Sequence, residues 1–212
     1  MILNPEEVYQ AGHTAFDQGN FPKARLLASQ CLAVAPRNSY WHASALGLKL
    51  WSANYLGDNA TVEREAVKLL SSDAGADKLW FDGLALFNLG LVGLRTRRAS
   101  EARAYFTQAS QRYAAYATNP RQPHTWTNRF FAAIAGWASS GESRRLWQLA
   151  RELANHPVFN TEMAHLRRAV YLYLRRAMGE DVSAEAETAA RQGVSRAYLA
   201  YLLLERRQPT VH

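Results

Sequence analysis

Cysteine is all but missing: Cys31 is the only one in 212 residues. No disulfide can close within the chain, and a cysteine-based structural zinc site is not expected. Glycine (12) and proline (7) are scarce, too few turn-formers for a many-stranded sandwich or barrel. No run of about 18 apolar residues occurs, so no membrane-spanning helix and no membrane insertion is expected. The opening Met-Ile-Leu-Asn-Pro-Glu-Glu has neither a basic stretch nor a long apolar one, so no secretory signal is expected and the expected location is the cytoplasm. Catalytic signatures are missing too. His13, His42, His124, His156, His165 and His212 form no two-histidine helical zinc spacing, and no phosphate-cradling glycine loop occurs. Ser139 to Ser143 reads as a turn and helix cap, not a nucleophile elbow. No catalytic residue, metal or cofactor is therefore expected, and the expectation is a protein that is not an enzyme.

What is present points to a well-packed chain. Apolar residues make up 48% of it, with 6 Trp, 10 Tyr and 8 Phe, which argues against disorder. A chain of this size buries roughly 70% of the surface its unfolded form exposes, so it folds without staples. The charge is uneven. Residues 1–90 hold 7 Lys+Arg against 9 Asp+Glu, a net of −2, while residues 91–212 hold 18 against 9, a net of +9. After Lys78 every basic residue is arginine, with doublets at 97–98, 144–145, 167–168, 175–176 and 206–207. Guanidinium suits bidentate contact with carboxylate or phosphate. An anionic partner for the second half is one reading; solvated helix faces are the other.

Apolar residues recur at helical spacing almost from end to end. Asn4-Pro5 starts a helix bearing Val8, Ala11, Ala15 and Phe16, and Gly19-Asn20 ends it. Helices are expected next from Pro22, from about Tyr40, after Gly57-Asp58-Asn59, from about Asp77 and from Ser100. Two prolines between Thr118 and Pro123 mark the clearest loop. Beyond it come helices around Phe130, Leu149 and Val170, a short one capped by Ser183, and a final one from about Ser195. The expectation is about eleven helices and no strand. Gly83, Gly90 and Gly93 lie inside a helical pattern and read as close-packing sites, and Cys31 as a buried small residue.

A spacing recurs within this row. Gly12 precedes Ala24 by twelve residues, with Ala28, Cys31 and Pro36 at +4, +7 and +12 from Ala24; Gly90 precedes Ala102 by the same twelve, with Phe106 and Ala109 at +4 and +7. Together with Phe16, Gly19, Phe21, Leu86 and Leu89, these residues resemble the tetratricopeptide repeat, the TPR. The registration points 12, 47, 90, 134 and 174 lie 35, 43, 44 and 40 residues apart, against a family period of 34. The resemblance covers nearly the whole chain, with two specific repeats and three looser ones. It implies one all-α domain over 1–212: a right-handed superhelix of about five antiparallel helix pairs plus a C-terminal capping helix.

The resemblance further implies a concave groove lined by the first helix of each pair, where a peptide or helix of another protein lies. The positions it implies are Tyr9, His13 and Phe16; Trp41, Leu48 and Trp51; Phe87, Leu91 and Arg95; Phe131; and Arg168, Tyr171 and Arg175. Arg168, Tyr171 and Arg175 share one helical face. With Arg95 they make a candidate subsite for an acidic ligand, the other reading being solvated arginines. The expected function is a scaffold or adaptor for a partner protein. A nucleic-acid-binding or regulatory module using the arginine-rich half is the first alternative, and a small enzyme or effector on an α-solenoid is the second.

Overall fold

The structure, a computed structural model, describes residues 4–116, 123–156, 161–196 and 198–204. Among these there are eleven α-helices and no strand. They are α1 (Pro5–Asp17), α2 (Phe21–Val34), α3 (Tyr40–Tyr55), α4 (Asn59–Ser71), α5 (Lys78–Arg95), α6 (Ala99–Tyr116), α7 (Pro123–Ser140), α8 (Arg144–Ala154), α9 (Thr161–Ala177), α10 (Ser183–Arg191) and α11 (Ala200–Leu204). The chain divides into two compact units, residues 1–128 and 129–212. The loop expected between Thr118 and Pro123 lies mostly outside the described residues, and Pro123 itself is the first residue of α7.

At the starts of α1 to α4 a short polar side chain supplies the acceptor that an orphan backbone N–H lacks. The side-chain oxygen of Asn4 accepts from the Glu6 N–H at 3.0 Å, that of Asn20 from Lys23 at 3.2 Å, that of Ser39 from His42 at 3.2 Å and that of Asp58 from Thr61 at 3.1 Å. In α10 the cap differs from expectation. Asp181, not Ser183, is the acceptor, taking the Ser183 N–H at 3.0 Å and its hydroxyl at 2.7 Å.

The turns inside successive helix pairs repeat one backbone geometry. Gly19, Gly57, Arg97, Gly141 and Gly179 all have left-handed φ, at 75°, 74°, 61°, 72° and 92°, and stand 38, 40, 44 and 38 residues apart. In four of the five, the next residue donates its N–H five positions back: Asn20 to Ala15, Asp58 to Ala53, Arg98 to Gly93 and Glu180 to Arg175, at 2.7–3.1 Å. This is the bond that closes a helix with a left-handed residue after it. Arg97 alone carries a side chain there, which costs about 1–2 kcal/mol of local strain. Part of that returns as lower chain entropy in the unfolded state. Arg97→Gly is therefore expected to leave stability unchanged or raise it by up to about 1 kcal/mol in denaturant unfolding, whereas Gly57→Val should lower it.

Unit 1 is built from three such pairs. α1 packs on α2, α3 on α4 and α5 on α6, and α1 also touches α3 while α3 touches α5. Small residues set the approach. A Cβ on Gly12 would stand 2.9 Å from Leu48 and 3.2 Å from Leu27; on Gly90 it would meet the Phe106 ring at 2.6 Å; on Gly93 it would meet the Ala102 Cβ at 3.0 Å. In the third pair, then, Ala102 faces Gly93, while Gly90 faces Phe106. Around these crossings lie Ala24, Ala28 and Cys31 from α2, Leu46 and Leu50 from α3, Val62, Ala66 and Leu69 from α4, and Val92 from α5, all nearly without exposure.

Unit 2 has its own core. α8 packs on α9, α9 on α10, and α10 on α11. Leu146, Leu149 and Leu153 form the apolar stripe of α8, while Arg144, Arg145 and Arg151 stay exposed. Tyr173 is fully buried at the centre, edge-on to Phe130 at 5.4 Å, and its phenol oxygen accepts the Tyr201 N–H at 3.2 Å. The final helix is shorter than the sequence pattern suggested: Tyr198 and Leu199 are buried in turns, and helix begins at Ala200.

Candidate functional site: the aromatic face of unit 1

The odd-numbered helices of unit 1 are in register, and aromatic rings mark it. At their beginnings, Tyr9 of α1 lies 5.6 Å from Trp41 of α3, Trp41 lies 5.1 Å from Tyr40, and Tyr40 lies 6.0 Å from Phe81 of α5. Toward their ends, Phe16 lies 5.9 Å from Trp51 and 5.4 Å from Tyr55, and Trp51 lies 6.1 Å from Phe87. Phe21, at the start of α2, stacks on Tyr55 with 4.5 Å between centroids and 13° between planes. Such offset and edge-on contacts add about 0.5–1.5 kcal/mol per pair beyond area burial. The second row ends on an exposed ring: Tyr55 keeps 47% of its surface open, with Leu56 beside it at 40%.

The expected groove residues divide by depth. Tyr9, Phe16, Trp41, Trp51, Leu91 and Arg95 are half-buried, and His13 is exposed with its Nδ1 3.0 Å from Asp17. Burial pushes the Tyr9 phenol up to about 12, so it stays neutral. Leu48, Phe87 and Phe131 lie deeper, at 6%, 7% and 1% exposure, and serve packing. Leu48 fills the space over Gly12, Phe87 sits between Trp51 and Phe106, and Phe131 lies beside Phe130 and Tyr198 in unit 2. Phe21, Tyr40, Tyr55 and Phe81 join the rows although the expected set omitted them. Their signal was ring-bearing residues at the first and last turns of neighbouring helices.

The arginines are engaged within the chain. Arg175 donates from Nε to Glu180 at 2.7 Å and from its terminal nitrogen to Glu185 at 3.1 Å, and its guanidinium carbon stands 5.7 Å from the Tyr171 ring centre. Arg168 donates to the Gln192 side chain at 2.5 Å, and Tyr171 is 60% exposed. Arg95 belongs to unit 1. It donates to the side-chain oxygens of Asn54 and Asn59. Asn54 in turn donates to Asn88, which is fully buried and donates to the Leu84 carbonyl. This chain of bonds ties α3, the start of α4 and α5 together, and every member has a partner.

No helix among the described residues is long and apolar enough to cross a membrane, and no group of three or more His, Cys, Asp or Glu there is arranged to hold a metal ion. Cys31 is buried, its thiol 3.2 Å from the Pro5 carbonyl, and burial raises its pKa. Compared with protein-family models, curated proteins and solved structures, the chain matches none.

Proposed function

We propose that this chain is a TPR-like adaptor of the cytoplasm, a right-handed superhelical scaffold without enzymatic activity. It holds an apolar segment of a partner protein against the aromatic face of unit 1. The carrying observation is the second aromatic row, Phe16, Phe21, Trp51 and Tyr55, which unites three helices and ends on the open Tyr55 ring. Rings held by one another lose little freedom when a ligand arrives, so they supply affinity at low entropic cost. The five left-handed turn residues, four of them followed by the same closing hydrogen bond, and the contacts of α3 with α1 and α5 support the repeat reading. The partner segment is a helix or extended peptide carrying aromatic or aliphatic anchors.

Peptide display on the purified chain tests this. Wild type is expected to enrich peptides with apolar anchors. Tyr55→Ala with Phe16→Ala should weaken the enriched peptides by about 2 kcal/mol or more, some 30-fold, with helical content unchanged by circular dichroism. Equal binding by wild type and variant would remove the aromatic face from the mechanism. A duplex oligonucleotide is the control for the arginine-rich alternative. Phosphate-backbone binding would fall steeply with salt, while anchored peptide binding should change little between low and moderate salt.

A further inference from the structure

On unit 1, away from the aromatic rows in composition and chemistry, a depression of about 410 Å³ opens where α2, α3 and α4 meet. Arg25 and Ser29 reach it from α2, Lys49 from α3, and Asp58, Thr61 and Arg64 from the start of α4. Glu65, next in the chain to the lining Arg64, is 1% exposed. Three cations converge on that carboxylate: Arg64 at 3.1 Å, Lys68 at 3.1 Å and Lys49 at 3.4 Å. Arg25 stands 3.0 Å from Asp58. The cluster therefore holds four positive side chains against two carboxylates.

This excess is unusual for a merely structural ion pair. One buried carboxylate needs one or two cations, and Lys49 is costly to place there because its side chain keeps only 20% exposure. Self-repulsion within the cluster is offset if two further negative charges enter. The guanidinium groups each have a partner within the cluster. Arg64 donates to the Thr61 hydroxyl at 3.0 Å, and Arg25 donates to Asp58, while each keeps further N–H groups beyond these bonds. The Ser29 hydroxyl, which donates to the Arg25 carbonyl at 3.0 Å, adds a polar edge.

We infer that this depression is a binding site for a phosphoryl group, carried by inorganic phosphate or by a small phosphomonoester, with Arg25, Lys49 and Arg64 as its ligands. A phosphomonoester carries about −1.5 to −2 charges at neutral pH and three acceptor oxygens, and the depression presents three cations, Arg25, Lys49 and Arg64, to meet them. Arginine forks suit its tetrahedral oxygens. The volume has room for the phosphoryl group and a small attached moiety. Glu65 pairs with Lys49 and Arg64, and Asp58 pairs with Arg25.

The test is calorimetry at constant ionic strength, with inorganic phosphate, O-phosphoserine and serine titrated into the full chain. Phosphate or O-phosphoserine should saturate a single site, and serine should not bind. Stronger binding of inorganic phosphate assigns the free ion, and stronger binding of O-phosphoserine assigns the ester. Arg25→Gln/Arg64→Gln leaves Lys49 and Lys68 on Glu65 and should weaken binding tenfold or more. As a measurement independent of any variant, amide shifts of wild type on phosphate addition should cluster at Ser29, Lys49 and Thr61. No saturable binding, shifts scattered over the surface, or equal affinity in the double variant would overturn the assignment.

Discussion

Phe106→Ala is expected to cost about 3–5 kcal/mol, the range for truncating a buried aromatic ring. Phe106 has no exposed surface, lies 5.7 Å from the Phe87 ring, and covers Gly90 so closely that a Cβ there would come within 2.6 Å of it. The same closeness fixes the opposite experiment. Gly90→Ala should cost about 1–3 kcal/mol by overpacking, because a fully buried ring has little room to give. The double variant Gly90→Ala/Phe106→Leu should lose less than the losses of Gly90→Ala and Phe106→Leu alone added together, since the shorter side chain makes room for the methyl group. Denaturant unfolding of all four proteins closes this cycle. Additive losses would mean that the α5–α6 crossing is not set by this pair.

Replacing Glu65 by Gln is expected to cost about 1–3 kcal/mol near neutral pH, the range for a hydrogen-bonded group that faces charged partners. Lys49, Arg64 and Lys68 would then share no counter-charge, although Arg64 and Lys68, each more than half exposed, can turn toward water. The pH dependence has a definite sign. Burial pushes the Glu65 carboxyl up, but the Lys68 hydrogen bond, the Lys49 charge and the Arg64 hydrogen bond together hold it below its usual 4.5. A depressed folded pKa means that the contribution of Glu65 is complete above about pH 5. It falls away as the pH drops through the lower folded value, because the unfolded chain takes up the proton first. Glu65→Gln should therefore flatten part of the acid limb of stability against pH. An acid limb identical to wild type would show that the three cations do not act on this carboxylate.

The local level of this fold was legible in the residues. Apolar spacing marked the helices, and Asn4, Gly19-Asn20 and Gly57-Asp58 marked starts and stops, because caps and left-handed turns depend on the side chain at one or two positions. Gly83, Gly90 and Gly93 read as close-packing sites, and Gly90 and Gly93 face Phe106 and Ala102. The common turn geometry was less legible. Arg97 takes a conformation that its own chemistry disfavours, and only the closure of α5 on α6 requires it. The end of the chain misled for a related reason: Tyr198 and Leu199 fit a helical pattern but are buried in turns, since burial alone does not choose between the two.

The site depended most on tertiary structure. One-helix spacing put Leu48, Trp51 and Tyr55 within one helix, but not at one depth. Leu48 sinks over Gly12 while Tyr55 stays open, because depth is decided by what the neighbouring helix brings to that point. The arginine excess was plain in the sequence, yet Arg175 meets Glu180 and Glu185 only once the α9–α10 turn folds them back. In the cluster around Glu65, Arg64 and Lys68 are neighbours along α4, but Lys49 of α3 joins them only through tertiary packing. Composition and periodicity thus determined that the chain is helical and where most helices begin and end, since those rest on contacts a few residues apart. Which rings remain exposed, and which charges are left in excess, was decided by tertiary packing, since both depend on residues brought together from distant parts of the chain.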